Sequence, residues 1–391
     1  MHSSCTALHA YGIILNLRQI APMRLFRNKK LSISGSLNRS AWHRIRRNPM
    51  AMTSLAYILL VALLASAGYL ITPDKSPMAN RQHLELGTRK PGFSVEMMAL
   101  PKSEQANAPG PIATLLFGRP DQYRYIPVDT VVRSADGIRY IPYPAGPWAT
   151  LDASIAPEEV YVERSRFLLG TDRFGRDLLS RLLVGARVSL SVGFISVFIS
   201  LLIGMTLGAV AGYFKGRTDD IIVWLINVVW SIPTLLLVIA ITFALGKGFW
   251  QVFIAVGLTM WVEVARVVRG QVLSIREKEF VEAGRALGFS NTRIIFRHIL
   301  PNVLAPVIVI SAANFASAIL IEAGLSFLGI GVQPPMPSWG TMIRENYAYI
   351  ILDKAYLAIL PGLCIMSLVL AFMLLGNALR DALDVRTVNS R

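Results

Sequence analysis

Six apolar runs, each near the ~20 residues that cross a bilayer as a helix, restrict this chain to a membrane architecture. They fall at roughly Met50–Ile71, Arg187–Tyr213, Ile221–Leu245, Phe249–Val268, Val303–Ile330 and Tyr356–Leu379. A helix on a soluble core keeps a polar stripe, and these runs have almost none. The sequence therefore predicts an all-α polytopic membrane protein with six transmembrane helices. A mean hydropathy of +0.50 over 391 residues agrees.

A formal charge of +15 could suggest a nucleic-acid binder, so its distribution decides. Residues 1–50 carry nine Lys or Arg and no acid, and Arg266–His298 carries seven basic and three acidic residues. The tail from Arg380 adds three basic and two acidic residues, and the turn Tyr213–Asp220 is balanced. All four segments share one side of the membrane if the spans alternate. The positive-inside rule then places the N and C termini in the cytoplasm. The charge reports topology and contact with anionic lipid, and no nucleic acid is expected as a partner.

The segmentation is a basic cytoplasmic arm (1–49), a first span (50–71), an extracytoplasmic segment (72–186), a five-helix core (187–379) and a cytoplasmic tail (380–391). Ala65-Ser66-Ala67 looks like a signal-peptide cleavage site, but the run before it is long for a signal core and is read as a retained span. Residues 1–22 match no pattern, and Met23 opens the basic stretch; intact mass would distinguish a start there from one at Met1. Cys5 and Cys364 are placed too far apart to pair, so no disulfide is expected.

The long outer segment is Pro-rich and nearly neutral. Arg-Tyr-Ile-Pro occurs at Arg124–Pro127 and again at Arg139–Pro142, around Ser134-Ala135-Asp136-Gly137. Two Tyr/Ile/Val-rich runs about an Asp-Gly turn read as a β-hairpin, and the flanking prolines suggest edge strands. The expectation is a small extracytoplasmic β-containing insertion between helices 1 and 2; an irregular loop is the alternative. Further on, Leu178, Leu179, Leu182 and Leu183 lie opposite Arg176, Ser180 and Arg181. That pattern predicts an amphipathic helix on the outer surface ahead of the second span.

Between spans four and five stands EFVEAGRALGFSNTRIIFRHILP, Glu279–Pro301, within the loop 269–301. Good helix formers fill Glu279–Leu287, Gly288 can stop the helix, and Ser290 can cap a second one, Asn291–Leu300. Phe280, Gly284 and Leu287 are expected on one face, with Glu279, Glu282 and Arg285 on another. Ala283, Gly284 and Ala286 remove bulk, so another surface can approach closely. Periodicity alone leaves two readings: a helix that docks in a partner's groove, or an interfacial helix that anchors the loop.

Glu282-Ala283-Gly284, then Gly288, then Leu300-Pro301 resembles the EAA loop of binding-protein-dependent ABC transporter permeases. LGTDRFGRDLLSRLLVGARVSL before the second span, EAGLSFLGIGVQPPMPSWG at Glu322–Gly340 and AWHRIRRNPMAM before the first span resemble the C-type permease of dipeptide, oligopeptide and nickel importers. The resemblance covers about Ala41–Ile71 and Phe167–Asp384. The family consensus has Ala where this chain has Gly284, and residues of about 80–160 look like an insertion.

The resemblance implies one of two membrane subunits of an importer in the bacterial inner membrane. Its partners would be a second permease subunit, two ABC ATPase subunits and an extracytoplasmic substrate-binding protein. Coupling to the ATPases would fall to Glu279, Phe280, Glu282, Ala283, Gly284, Ala286, Leu287, Gly288 and Arg293. Asn227, Trp230, Asn314 and Glu322 are candidates for the translocation path, with interhelical packing as their alternative. No cofactor or metal is implied. The chain should not hydrolyse ATP itself, because Gly246-Lys247 lacks the flanking residues of a phosphate-binding loop.

Three further expectations concern single residues. Glu263 is expected to pair with Arg266 or Arg269, and Pro233 to kink the third span. Gly204, Gly208 and Gly212 should form a close helix-packing face. The competing class is a carrier or channel that needs no ATPase. An intramembrane enzyme is disfavoured, since all five histidines (His2, His9, His43, His83 and His298) lie outside the spans.

Overall fold

The computed structural model describes residues 42–102, 110–134, 137–151, 157–246 and 248–383. Ala135 and Asp136, where the sequence predicts a turn, Lys247, most of the basic arm with Met1, Cys5, His2, His9 and Met23, and the end of the tail lie outside the described residues.

The first span, α1 (Pro49–Ser66), starts where Asn48 accepts from the backbone N–H of Met50 and Ala51, with Pro49 at the first helical position. One further turn, Gly68–Ile71, completes it. The outer segment then forms strand β1 (Phe93–Pro101), a short helix α2 (Pro111–Phe117), and strands β2 (Tyr123–Ser134), β3 (Gly137–Pro142), β4 (Ala149–Thr150) and β5 (Tyr161–Phe167). They make a five-stranded antiparallel sheet in the order β4-β3-β2-β1-β5. Strand β2 pairs with β3, Ser134 opposite Gly137. It is the central strand, however, and not an edge. Pro127 is tolerated there beside a register shift between Val128 and Thr130, which relaxes the ladder where an N–H is missing.

The stretch that leads into the sheet is tied to Lys354 and Tyr356 and to the segment that follows β5. Thr171 Oγ1 donates to the Leu86 carbonyl, Tyr356 OH donates to the Arg89 carbonyl at 2.7 Å, and Lys354 Nζ to Thr88 Oγ1 at 2.5 Å.

Helix α3 runs unbroken from Leu178 to Phe214, 37 residues capped by Asp177. The separate amphipathic helix read from the sequence is therefore the opening of this long helix. Its polar side faces protein: Ser180 and Arg181 are buried. Helices α4 (Gly216–Trp230) and α5 (Thr234–Leu245) meet at 93° about Pro233, a break and not the expected kink. Then come α6 (Phe249–Ile275), the short α7 (Glu279–Ala286), α8 (Asn291–Leu328, with one π-helical turn at Ile294–Ile299), α9 (Trp339–Asn346) and α10 (Tyr356–Leu383). Among the described residues, five helices are long and apolar enough to cross a membrane, or six spans if α4 and α5 together count as one.

Helices α3 and α6 pack closely along their length. A Cβ at Gly204 would lie 2.7 Å from the Trp261 carbonyl, at Gly208 2.5 Å from the Ala265 carbonyl, and at Gly212 2.8 Å from the Arg269 carbonyl. The three glycines thus let backbone meet backbone, as their four-residue spacing suggests.

Candidate coupling site

The end of the molecule that carries α7 is built from an apolar cluster. Ala209 and Tyr213 of α3, Val264, Val268 and Val272 of α6, and Ile294, Ile295 and Ile299 of α8 bury one another, and Val281 of α7 joins them. Polar bonds then fix the loop between α6 and α8. Arg276 donates to the Tyr213 carbonyl, Tyr213 OH donates to Asn291 Oδ1 at 2.8 Å, and Lys215 Nζ donates to Glu277 at 2.8 Å. That last bond holds the Glu277 carboxyl below the usual carboxylate range.

Helix α7 ends as expected. Gly288 takes φ +74°, a left-handed value that carries the chain out of the helix, and Phe289 N–H returns to the Gly284 carbonyl at 3.0 Å. Ser290 accepts from Arg293 N–H and opens α8. Arg293 lies 3.9 Å above the Phe289 ring, and the Phe289 and His298 rings stack.

The two faces of α7 differ from the periodic reading in one respect. Val281 and Gly284 are buried, and a Cβ on Gly284 would sit 3.5 Å from the Phe289 ring and 3.9 Å from Ile294. Gly284 therefore faces its own chain, which corrects its placement beside Phe280 and Leu287. Those two are exposed, Leu287 at 72 %, together with Glu279, Glu282, Ala283, Ala286, Gly288 and Arg293. The outer surface is an apolar pair separated by alanines and edged by two acids. The inner surface is a valine and a glycine that seat the helix.

The four path candidates divide. Asn227 and Trp230 are exposed on α4, and the Arg266 guanidinium lies 3.6 Å above the Trp230 ring. Asn314 and Glu322 are fully buried within the packing of α8. Glu322 accepts from Ser326 Oγ at 2.6 Å, and Ser326 Oγ accepts from Val332 N–H, so this carboxyl steadies the chain that follows α8. Glu263 has no ion pair among the described residues: Arg269 is held by Asp219 at 2.6 and 2.7 Å, and Arg266 by Trp230.

A second polar site escaped the sequence reading. Asp172, Arg176 and Arg181, all buried, form a quartet with the partly buried Glu345 between the turn before α3 and helix α9. Arg176 bonds both acids at 2.6 Å, and Arg181 lies 3.5–3.6 Å from the same two. The available signal was the cost of two arginines beside an apolar run, which requires acids within reach.

Residues 204–389 match the family described as binding-protein-dependent transport system inner membrane component, and residues 36–85 match the N-terminal transmembrane domain of oligopeptide transport permease C. The dipeptide transport system permease protein DppC of Alkalihalophilus pseudofirmus is 45% identical over 215 residues, 55% of this chain and 70% of that protein. The chain belongs to the binding-protein-dependent ABC transporter permeases. This permease is also 42% identical to the glutathione transport system permease protein GsiD of Pectobacterium atrosepticum, over 55% of its own length and 71% of that chain. To the oligopeptide transport system permease protein OppC of Bacillus subtilis it is 39% identical, over 55% and 70%. Residues 86–203, which hold the sheet and the start of α3, fall between the two matched family segments.

Proposed function

We propose that this permease forms half of the translocation path of an ATP-driven importer of peptides or a comparable small solute. The other half is a second permease subunit, two ATPase subunits bind on the cytoplasmic side, and a binding protein delivers substrate from outside. The names of its relatives, transporters of dipeptides, oligopeptides and glutathione, support the substrate class. The setting is a bacterial inner membrane with six crossings, the broken α4–α5 pair serving as one. The basic segments put α7 and both termini in the cytoplasm.

The single observation that carries the coupling role is the two-faced character of α7. Its underside is locked to the ends of α3, α6 and α8, so a push on the helix reaches three spans. Its outer side offers Phe280, Ala283 and Leu287 at helical spacing with Glu279 and Glu282 at the rim. A helix that presents such a stripe and is itself rigidly based suits a groove in an ATPase subunit. ATP hydrolysis belongs to that subunit; the permease supplies the lever.

The test is co-purification with the ATPase subunits. Wild type should retain them, and Glu282→Lys and Ala283→Trp, both on the exposed face, should each lose them while the permease stays folded. ATPases retained by both variants would refute docking at α7 and favour the interfacial-helix reading.

A further inference from the structure

Helix α2, Pro111–Phe117, in the outer segment, is built almost wholly of apolar residues, PIATLLF, yet none of them is buried. Ile112 is 74 % exposed, Leu116 55 % and Phe117 70 %. An amphipathic element on a water-facing subdomain would turn these side chains inward.

Where α2 sits explains the exposure. The Arg187 guanidinium of α3 donates to the carbonyls of Ala65 and Ser66 (2.8 Å) at the end of α1, and to those of Leu115 (2.9 Å) and Leu116 (3.0 Å) near the end of α2. All four carbonyls lie in the last turn of a helix, so one side chain caps two helices at once. The clamp fixes α2 at the depth where the first span finishes. At ~1.5 Å per residue a span of this length runs close to the thickness of the hydrocarbon, so its end marks the membrane boundary.

The surroundings have the composition of a lipid contact. The α1 side of the Arg187 clamp also carries exposed apolar side chains, Leu59, Leu60 and Leu63 before it and Leu70 and Ile71 after it. Phe117 and Leu116 also wall an open cavity of about 500 Å³ with Tyr69, Met78, Val188 and Phe249. Two cations are close in the chain to residues of that wall, Lys75 before Pro77 and Met78 and Arg119 after Gly118: Arg119 N–H bonds the Lys75 carbonyl at 2.8 Å, both side chains are exposed, and neither has an ion pair among the described residues. Apolar side chains at the boundary with basic residues beside them are what an amphipathic membrane anchor needs.

We propose that α2 is inserted in the outer leaflet, where its apolar side chains and the adjoining cavity take acyl chains of anionic phospholipid and Lys75 and Arg119 meet the headgroups. The outer segment is thereby anchored at a point that its sheet does not supply. The assignment of leaflet rests on the orientation proposed above; the coupling role of α7 does not depend on it.

Spin labels test this in the assembled transporter. In a chain with Cys5→Ser and Cys364→Ser, label Ile112→Cys or Phe117→Cys, with Leu60→Cys as a lipid-facing control and Arg124→Cys as a water-facing one. Reconstitute in vesicles of phosphatidylethanolamine with phosphatidylglycerol and measure relaxation by oxygen and by a water-soluble nickel complex. Both α2 labels should match Leu60→Cys, relaxed by oxygen and shielded from nickel. A label relaxed by nickel would place α2 in water, and one shielded from both reagents would place it against another subunit; either overturns the proposal. Replacing phosphatidylglycerol by phosphatidylcholine should raise nickel access at Phe117→Cys, and the pair Lys75→Glu with Arg119→Glu should abolish that dependence. No dependence on lipid charge would overturn the headgroup role.

Discussion

Asp172→Asn should be among the most damaging single changes outside the membrane core, and the structure indicates why. Asp172 and Arg181 are 1–2 % exposed and Arg176 4 %. Asp172 Oδ2 accepts from Arg176 Nε, while Oδ1 accepts from the N–H of Phe174 and of Arg176 at 2.9 and 3.0 Å. The amide would point a donor or a weaker acceptor at the guanidinium and leave two arginines sharing Glu345. Breaking a buried pair by removing one partner costs about 3–5 kcal/mol. Arg181→Met should cost far less, about 1 kcal/mol, because among the described residues Nε and Nη1 of Arg181 make no hydrogen bond and its ion contacts are the long ones of the quartet, 3.5–3.6 Å. The double variant restores neutrality, so it should recover about 1–3 kcal/mol relative to the sum of the singles. Equilibrium denaturation in micelles, run as a double-mutant cycle, measures this. A cost below about 1 kcal/mol for Asp172→Asn, or strict additivity in the double, would refute the reading of the quartet as a mutually dependent charge cluster.

Gly208→Leu forces side-chain atoms into the Ala265 backbone, so it should destabilise the α3–α6 seam by at least the ~1–3 kcal/mol typical of overpacking, read as a lowered unfolding midpoint. On α7, Gly284→Trp should disturb the seat of the helix and lower stability, whereas Ala283→Trp should leave stability within about 0.5 kcal/mol of wild type and lose only the ATPase, because one faces inward and the other outward. His83 is buried and its pKa lies below the ordinary 6.5, mainly through burial and then through the charge of Arg81. The unfolded chain therefore takes up the proton first. The stability this residue contributes is complete above pH 6.5 and declines as the pH falls through the folded value, and His83→Gln should flatten that part of the unfolding profile.

The spans were legible because a hydrocarbon slab demands long apolar helices and little else satisfies it. The glycine seam of α3 was legible because its spacing sets three small residues on one side of a helix. Local rules stopped where the answer lay far along the chain. Arg176 and Arg181 resemble a wetted face until Glu345, which closes the quartet from α9, is brought up to them. The Asp-Gly turn pointed to β2 and β3, but the partners that make β2 central, β1 and β5, share no signal with it. Glu263 and Arg266 have the spacing of an ion pair, yet Trp230 takes the arginine. On α7, periodicity separates faces without saying which one points home. Phe289 and Ile294, folding back beneath the helix, make that choice by covering Gly284.

The most direct test of the coupling account is site-specific photocrosslinking in the intact transporter. A photoreactive phenylalanine analogue replaces Leu287 on the outer side of α7 in one sample and Val281 on the inner side in another. Crosslinks from Leu287 to an ATPase subunit, with none from Val281, are the expected result. Leu287 joined only to lipid, or both positions joined to the same subunit, would contradict a helix that is seated by one face and docked by the other.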